Sequence, residues 1–160
     1  MDKVLGHRET VEYEDLGQLQ YLDQTLKEAL RKHPPVGGTQ RILQKEDIFG
    51  GYKIPAKTAV VVSSYNVQKS PEFWESPDDF DPDRFSPSRK DAISQFVFFP
   101  FSLGPRSCIG KTLAQFEAKV LMARLLREFK FEIVPGQTDQ VEENLTLKPR
   151  DGVICTLTQR

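Results

Sequence analysis

A cysteine in a short loop bounded by glycines constrains this chain more than any other feature. The loop runs from 101 to 110 with the sequence FSLGPRSCIG, and an apolar repeat of helical spacing follows it. Gly104 lets the backbone turn tightly and approach a flat ligand closely. Cys108 is predicted to lie at the start of a helix, where free N–H groups and the helix dipole favour an anion, here the thiolate. Gly110 leaves room for the face of a ring.

The length, charge and cysteine count of the chain argue against several other classes of protein. The chain has 160 residues, which suits about one domain. Its net charge of −1 gives no bulk electrostatic case for nucleic-acid binding. Cys108 and Cys155 allow one disulfide at most, and no Cys/His spacing resembles a zinc site. No apolar run approaches the roughly 18 residues of a membrane span, and the N-terminus does not read as a signal peptide.

The first part of the chain predicts one long helix and a β region. Leucine and alanine recur at helical spacing over 18–32, and the helix must end before Pro34 because a proline disfavours helix in the residue before it. The β region spans 45–65, with a hairpin turn at Gly50 and Gly51. The strand over 58–65 contains three consecutive valines, which favours burial on both faces.

The rest of the chain predicts an irregular loop, a second helix and a β hairpin region. Residues 70–107 form the irregular loop and the cysteine loop, and their many aromatic side chains argue against disorder. A helix is expected over 108–128, with one apolar face that consists of Ile109, Leu113, Phe116, Val120, Ala123 and Leu126. Within 131–160, apolar runs at 145–147 and 153–157 flank a turn and predict a hairpin.

The pattern Phe-x-x-Gly-x-Arg-x-Cys-x-Gly at 101–110 resembles, at every fixed position, the haem-binding signature of the cytochrome P450 superfamily. Two further segments resemble the same family. Glu28 and Arg31 form a Glu-x-x-Arg pair before a proline break, and Arg84 lies at the matching place in FDPDRF. The resemblance runs from about Leu16 onward. It implies a mainly α fold with small β hairpins and sheets (α+β), and residues 1–160 would be the C-terminal third of the P450 domain.

The resemblance also implies roles for individual residues. Cys108 would be the axial thiolate ligand of the iron in haem b, Arg106 and Arg41 would bind the haem propionates, and Phe101 and Gly110 would pack near the ring. Glu28, Arg31 and Arg84 would be structural, because an arginine fork binds a carboxylate bidentately. No catalytic residue is expected within this chain. The residues expected to border the substrate chamber are Val36, Gly37, Gly38, Thr39, Leu145 and Thr146.

The reaction implied is insertion of one oxygen atom from O2 into a C–H bond of a sterol or another lipophilic substrate. The segments 16–22 and 99–104 are most similar to the cholesterol 24-hydroxylase branch of the family. Electrons would come from NADPH through NADPH-cytochrome P450 reductase, which Lys111, Lys119 and Arg127 would help to steer. The full-length protein would lie on the cytosolic face of the endoplasmic reticulum membrane, and this chain carries no recognisable membrane anchor.

Two other readings stay open at this point. The chain is expected to lack the family's distal helix, whose acid/alcohol pair delivers protons to bound oxygen, so the 160 residues alone are expected to be inactive. One alternative is a haem-thiolate isomerase or dehydratase of oxygenated lipids, which works without a reductase. The other is a truncated, non-catalytic product that binds no haem.

Overall fold

The computed structural model describes residues 2–8, 10–138, 140–144 and 146–160. The described part of the chain combines helices with small antiparallel sheets, so the predicted α+β class is confirmed. The helices are α1 (Asp2–Leu5), α2 (Gln20–Lys32), α3 (Ser64–Val67) and α4 (Lys111–Glu128). The strands are β1 (Thr39–Ile42), β2 (Asp47–Phe49), β3 (Tyr52–Ile54), β4 (Ala59–Val62), β5 (Phe129–Ile133), β6 (Val141–Asn144), β7 (Thr146–Pro149) and β8 (Cys155–Gln159). Among the described residues, no helix is both long and apolar enough to cross a bilayer.

The packing of α2 against α4 forms the main apolar core. Leu19 and Leu22 are buried against Ala123, and partly buried side chains of both helices surround them. Burial of aliphatic side chains of this kind is the dominant favourable contribution to folding. Asp23 on α2 and Lys119 on α4 add an ion pair across the same interface, with 2.6 Å between Oδ1 and Nζ. The core therefore fixes the two helices that flank the cysteine loop.

The described residues form four separate two-stranded sheets. The predicted hairpin joins β2 to β3, and Gly50 and Gly51 adopt φ angles of 57° and 83°, which only glycine takes without strain. The valine-rich strand was predicted to run over 58–65 and to be buried on both faces. That prediction is wrong: β4 ends at Val62, α3 begins at Ser64, and Val61 and Val62 are exposed. Because β4 pairs only with β1, no second layer covers those valines in the described part of the chain.

The C-terminal strands pair differently from the prediction. The expected hairpin between 145–147 and 153–157 does not form. Instead, β7 pairs with β6, and β8 pairs with β5 directly after α4. Two apolar runs around a turn are a local signal, whereas the register of Phe131 opposite Leu157 joins strands that are far apart in sequence. The tertiary pairing prevails over the local turn.

The segment 70–107 is irregular, with short 3₁₀ turns at Pro82–Phe85, Lys90–Ala92 and Gly104–Arg106. Its order comes from an aromatic cluster. The ring centroids of Phe85 and Phe98 are 4.7 Å apart, and Trp74 lies 6.1 Å from Phe85 and 6.4 Å from Phe98. Trp74, Phe85 and Phe99 are buried. The cluster gives this long loop a core of its own beside α2.

Helix α4 begins later than predicted, and its first turns are exposed. Its first helical residue is Lys111, with Gly110 as the N-cap, so Cys108 lies two residues before the cap. The apolar face predicted to include Ile109 and Leu113 is not buried there, since both side chains are exposed. Only the later part of the helix meets α2, near Ala123. The first turns of α4 therefore border open space beside the cysteine loop.

Candidate functional site

The cysteine loop folds back on itself and brings Cys108 beside Phe101. The backbone N–H of Cys108 donates to the carbonyl of Phe101 at 2.9 Å, and Ser102 N–H donates to Phe99 O at 2.9 Å. Ser102 and Gly104 adopt left-handed backbone angles, with φ of 61° and 72°. This conformation is costly for a residue with a Cβ and easy for glycine, which explains Gly104. The loop thus presents Cys108 at a fixed place before α4.

The thiol of Cys108 is exposed, and Gly110 keeps one flank of the sulfur open. A Cβ at Gly110 would lie 3.8 Å from Cys108 Sγ, in van der Waals contact with the sulfur. Larger side chains at this position would crowd the thiol. The cysteine is therefore accessible to a ligand that approaches across Gly110.

A cavity of about 540 Å³ lies among α2, the first turns of α4 and the cysteine loop. Its lining is mostly apolar, with Leu26, Leu30 and Ala114 from the two helices. Cys108, Arg106 and Phe101 line it from the cysteine loop, and Val36, Gly38 and Thr39 line it from the segment after α2. A thiol and a guanidinium thus share one apolar cavity.

Other residues predicted for the site lie outside this lining. Arg41 is exposed, and its Nη1 donates to Thr39 Oγ1 at 2.5 Å and to Gln40 O at 2.8 Å. Gly37 faces the β6–β7 hairpin, since a Cβ there would lie 3.3 Å from Leu147 Cδ1. Thr146 is exposed and does not line the cavity, and Leu145 falls outside the described residues. Leu147 N–H donates to Pro35 O at 2.7 Å, which holds the hairpin beside the cavity wall.

Glu28, Arg31 and Arg84 meet in the interior beside the site. Glu28 and Arg31 are fully buried, and two bonds of 2.8 Å join the carboxylate to Nε and Nη2 of Arg31. Arg84 is 6% exposed and its Nε lies 3.5 Å from Glu28 Oε1. That separation gives an ion pair but no hydrogen bond from Nε, while Arg84 Nη2 donates to Ser76 O at 2.8 Å.

The same cluster ties the irregular loop to α2. Arg31 Nη2 also donates to Pro77 O at 2.8 Å and to Asp79 O at 3.1 Å, and Glu28 Oε1 accepts from Asp81 N at 3.0 Å. The guanidinium carbon of Arg31 lies 5.2 Å from the centroid of the Trp74 ring. Charge-assisted bonds of this kind are stronger than neutral ones. The pair therefore organises residues 76–84.

Sequence reasoning missed one buried polar residue next to this cluster, Gln68. Its side chain is fully buried, and its Nε2 donates to Leu30 O at 3.1 Å and to Arg31 O at 3.2 Å. Its Oε1 accepts from Phe99 N at 3.1 Å, in the segment that leads into the cysteine loop. The only signal in the sequence was the double proline after α2, which leaves two helix carbonyls without backbone donors.

Charged groups near the cavity are mostly paired. Burial opposes ionisation of Asp23, but hydrogen bonds from Lys119 and Lys27 outweigh it and hold the pKa of Asp23 below its ordinary value. Burial and the nearby cations Lys69, Lys32 and Arg31 lower the pKa of His33, which also lines the cavity.

Two of the three cations expected to steer a reductase are engaged elsewhere. Lys119 pairs with Asp23, and Arg127 donates to the backbone carbonyls of Arg8 and Gly6. Lys111 is exposed at the start of α4. The charge of Lys119 is therefore compensated by Asp23, whereas Arg127 donates only to neutral carbonyls.

Comparison with known proteins identifies the family. A family model described as Cytochrome P450 matches residues 1–156. The chain is 35% identical over 164 residues to Cytochrome P450 3A19 of Capra hircus aegagrus, covering all of this chain and 74% of that protein. It is 34% identical over 166 residues to Cytochrome P450 3A6 of Oryctolagus cuniculus, covering 96% of this chain and 33% of the relative. It is 36% identical over 163 residues to Cytochrome P450 4V2 of Rattus norvegicus, covering 100% of this chain and 31% of the relative.

The chain spans about a third of the length of the 3A6 and 4V2 relatives. The match includes the cysteine loop, both long helices and the buried Glu28–Arg31 pair, since it extends over nearly every residue described above. The chain belongs to the cytochrome P450 family.

Proposed function

We propose that this chain forms the cysteine-side half of a haem-thiolate monooxygenase site. The observation that carries the proposal is the exposed thiol of Cys108 on the wall of an apolar cavity that Arg106 and Phe101 also line. A thiolate is a soft ligand suited to iron, and an arginine offers charge-assisted hydrogen bonds to a carboxylate. Apolar walls, one thiol and one guanidinium match the chemistry of a flat ring that carries a metal and propionates.

In this proposal Cys108 would ligate the haem iron through its sulfur, and Gly110 would keep the sulfur accessible because it has no side chain. Phe101 would pack near the ring, and Arg106 would bind one propionate. Haem held by a thiolate supplies oxygen activation, because the ligand pushes electron density to the iron and favours O–O cleavage.

Arg41 is assigned to the second propionate, although its side chain folds back on its own strand. Thr39 lies two residues before Arg41 on β1, and side chains two apart point to the same face of a strand. Since Thr39 lines the cavity, Arg41 lies on the face of β1 that is nearest to the cavity. Its bonds to Thr39 and Gln40 are solvent-exposed and of little cost to exchange for a carboxylate.

The reaction we propose is insertion of one O2-derived oxygen atom into a C–H bond of a lipophilic substrate. The specific candidate is a sterol, with an activity like that of cholesterol 24-hydroxylases. The sterol proposal is supported by the similarity of segments 16–22 and 99–104 to that branch. Val36, Gly38 and Thr39 line the apolar cavity and are proposed to border the substrate, with Gly37 and Thr146 proposed farther out. Leu145 is proposed for the same role on the resemblance alone, since it lies outside the described residues.

NADPH-cytochrome P450 reductase is the proposed electron donor, with Lys111 as its electrostatic contact on this chain. The proposed location of the full-length protein is the cytosolic face of the endoplasmic reticulum membrane. Glu28, Arg31 and Arg84 are proposed to act structurally, since they are buried away from the cavity lining.

The test places residues 1–160 in the position of the matching third of rabbit cytochrome P450 3A6. The reduced, carbon-monoxide-bound chimera is expected to show the red-shifted absorption band of thiolate-ligated haem. Cys108→Ser should remove that band. Cys155→Ser is the matched control, because it is the other free cysteine and lies on β8. An undiminished band in Cys108→Ser would contradict the ligand assignment.

A further inference from the structure

The side chain of Gln68 donates to two carbonyls at the end of α2 that the following prolines leave without backbone donors. In a continuing helix, the carbonyls of Leu30 and Arg31 would accept from the N–H groups four residues on, which here belong to Pro34 and Pro35. Proline has no N–H, so these two carbonyls have no helical donor. The Nε2 of Gln68 donates to both, at 3.1 Å and 3.2 Å. One side-chain amide thus satisfies two buried acceptors.

The other end of the same amide reaches the segment that carries the cysteine loop. Gln68 Oε1 accepts from Phe99 N at 3.1 Å, and Phe99 is buried. Phe99 O then accepts from Ser102 N, and Phe101 O accepts from Cys108 N, each at 2.9 Å. A continuous set of hydrogen bonds and short backbone segments therefore leads from the last turn of α2 to Cys108.

Gln68 is itself fixed on both sides, so it can transmit position. Arg31 Nη1 donates to the backbone carbonyl of Gln68 at 2.8 Å, while the Gln68 side chain donates to the carbonyl of Arg31. Both residues are fully buried. By contrast, apart from the bonds between Glu28 and Arg31, the hydrogen bonds of Glu28 and Arg84 go to residues 76–81 and not to the cysteine loop.

We propose that Gln68 is the positioning residue that sets Cys108 against the cavity, by holding Phe99 to the end of α2. This inference rests on the proposed role of Cys108 as the haem ligand. Gln68 touches neither the cavity nor the thiol, since it is absent from the cavity lining, and it acts through the backbone of the loop. It is the link between the buried Glu28–Arg31 pair and the cysteine loop.

The first test is amide hydrogen exchange on the 160-residue chain without haem. In the unsubstituted chain, the Phe99 amide is expected to be protected. Gln68→Met keeps a side chain of similar length but removes the amide, and exchange over 99–108 should become about tenfold faster, as loss of one buried hydrogen bond predicts. Exchange within α4 should stay unchanged. Gln40→Met is the control, because Gln40 is exposed on β1.

Two exchange results would overturn the proposal. One is an unprotected Phe99 amide in the unsubstituted chain, which needs no variant to fold. The other is a Gln68→Met variant in which 99–108 is unaffected, or in which α4 is accelerated equally, since that would mark a general loss of stability.

The second test reads the ligand geometry in the haem-loaded chimera. With Gln68→Met, a fraction of the bound haem is expected to lose the thiolate band while total haem content is retained. A full thiolate band in that variant would overturn the positioning role. If the unsubstituted chimera shows no thiolate band, the proposed function fails, and the exchange experiment still decides whether Gln68 holds the loop.

Discussion

Replacing Arg31 with methionine tests whether the buried cluster holds this fold together. Methionine keeps much of the apolar stem and removes the guanidinium. The change deletes two bonds to Glu28 and the bonds to the carbonyls of Gln68, Pro77 and Asp79. It leaves the Glu28 carboxylate fully buried, with the Asp81 N–H at 3.0 Å and Arg84 Nε at 3.5 Å as its remaining partners.

The expected cost is large because a charge remains without its main partner. Removing one side of a buried ion pair typically costs about 3–5 kcal/mol. Arg84 offsets part of this, so we expect about 3 kcal/mol from Arg31→Met. That is a large fraction of the roughly 5–15 kcal/mol by which domains are stable.

The assay is urea unfolding of the chain followed by tryptophan fluorescence. Trp74 is the only tryptophan, and its ring centroid lies 5.2 Å from the guanidinium carbon of Arg31, so it reports on this cluster. Lys53→Met is the matched control. Its Nζ lies 3.0 Å from Glu46 Oε1, but the side chains are 70% and 53% exposed, and the loss should stay below about 1 kcal/mol.

A cost of less than about 1 kcal/mol for Arg31→Met, in line with the exposed control, would contradict this expectation. It would mean that burial of this pair has little influence on the stability of the chain.

Two further predictions concern packing and pH. Gly38→Ala should lower the stability by about 1–3 kcal/mol in thermal unfolding, because the added Cβ would lie 2.7 Å from the backbone oxygen of Val62. Gly37→Ala should lower it less, because the Cβ there would lie 3.3 Å from the movable Leu147 Cδ1. Equal losses in the two variants would contradict this prediction. Because the pKa of Asp23 is lowered in the folded state, the unfolded chain binds more protons at acid pH. The contribution of Asp23 to the free energy of unfolding is therefore present above about pH 4 and is lost as the pH falls through the folded-state pKa. Urea unfolding of Asp23→Asn should show a flatter dependence on pH below about 4 than the unsubstituted chain, and an identical dependence would exclude this role.

Features of the site that depend on nearby residues were predictable from the sequence. Glu28 and Arg31 are three apart on one helix, and their pairing follows from helical geometry. The two-residue glycine turn between β2 and β3 is equally local. The tight turn at Gly104 also follows from residue type, because its φ is 72°.

Features that depend on tertiary contacts were not predictable in the same way. The double proline after α2 shows that two carbonyls lack donors, but nothing in the sequence indicates that Gln68 supplies them. The pairing of β5 with β8 is another long-range choice, and the predicted hairpin failed there.

The central claim is that the sulfur of Cys108 binds haem iron, and X-ray absorption at the iron edge tests it most directly. The measurement uses the haem-loaded chimera that carries residues 1–160, with Cys155→Ser as background so that one cysteine of this chain remains. We predict a sulfur scatterer in the first coordination shell of iron, which is lost when Cys108→Ser is added. A first shell with only nitrogen and oxygen in the parent, or a sulfur that persists after Cys108→Ser, would contradict it.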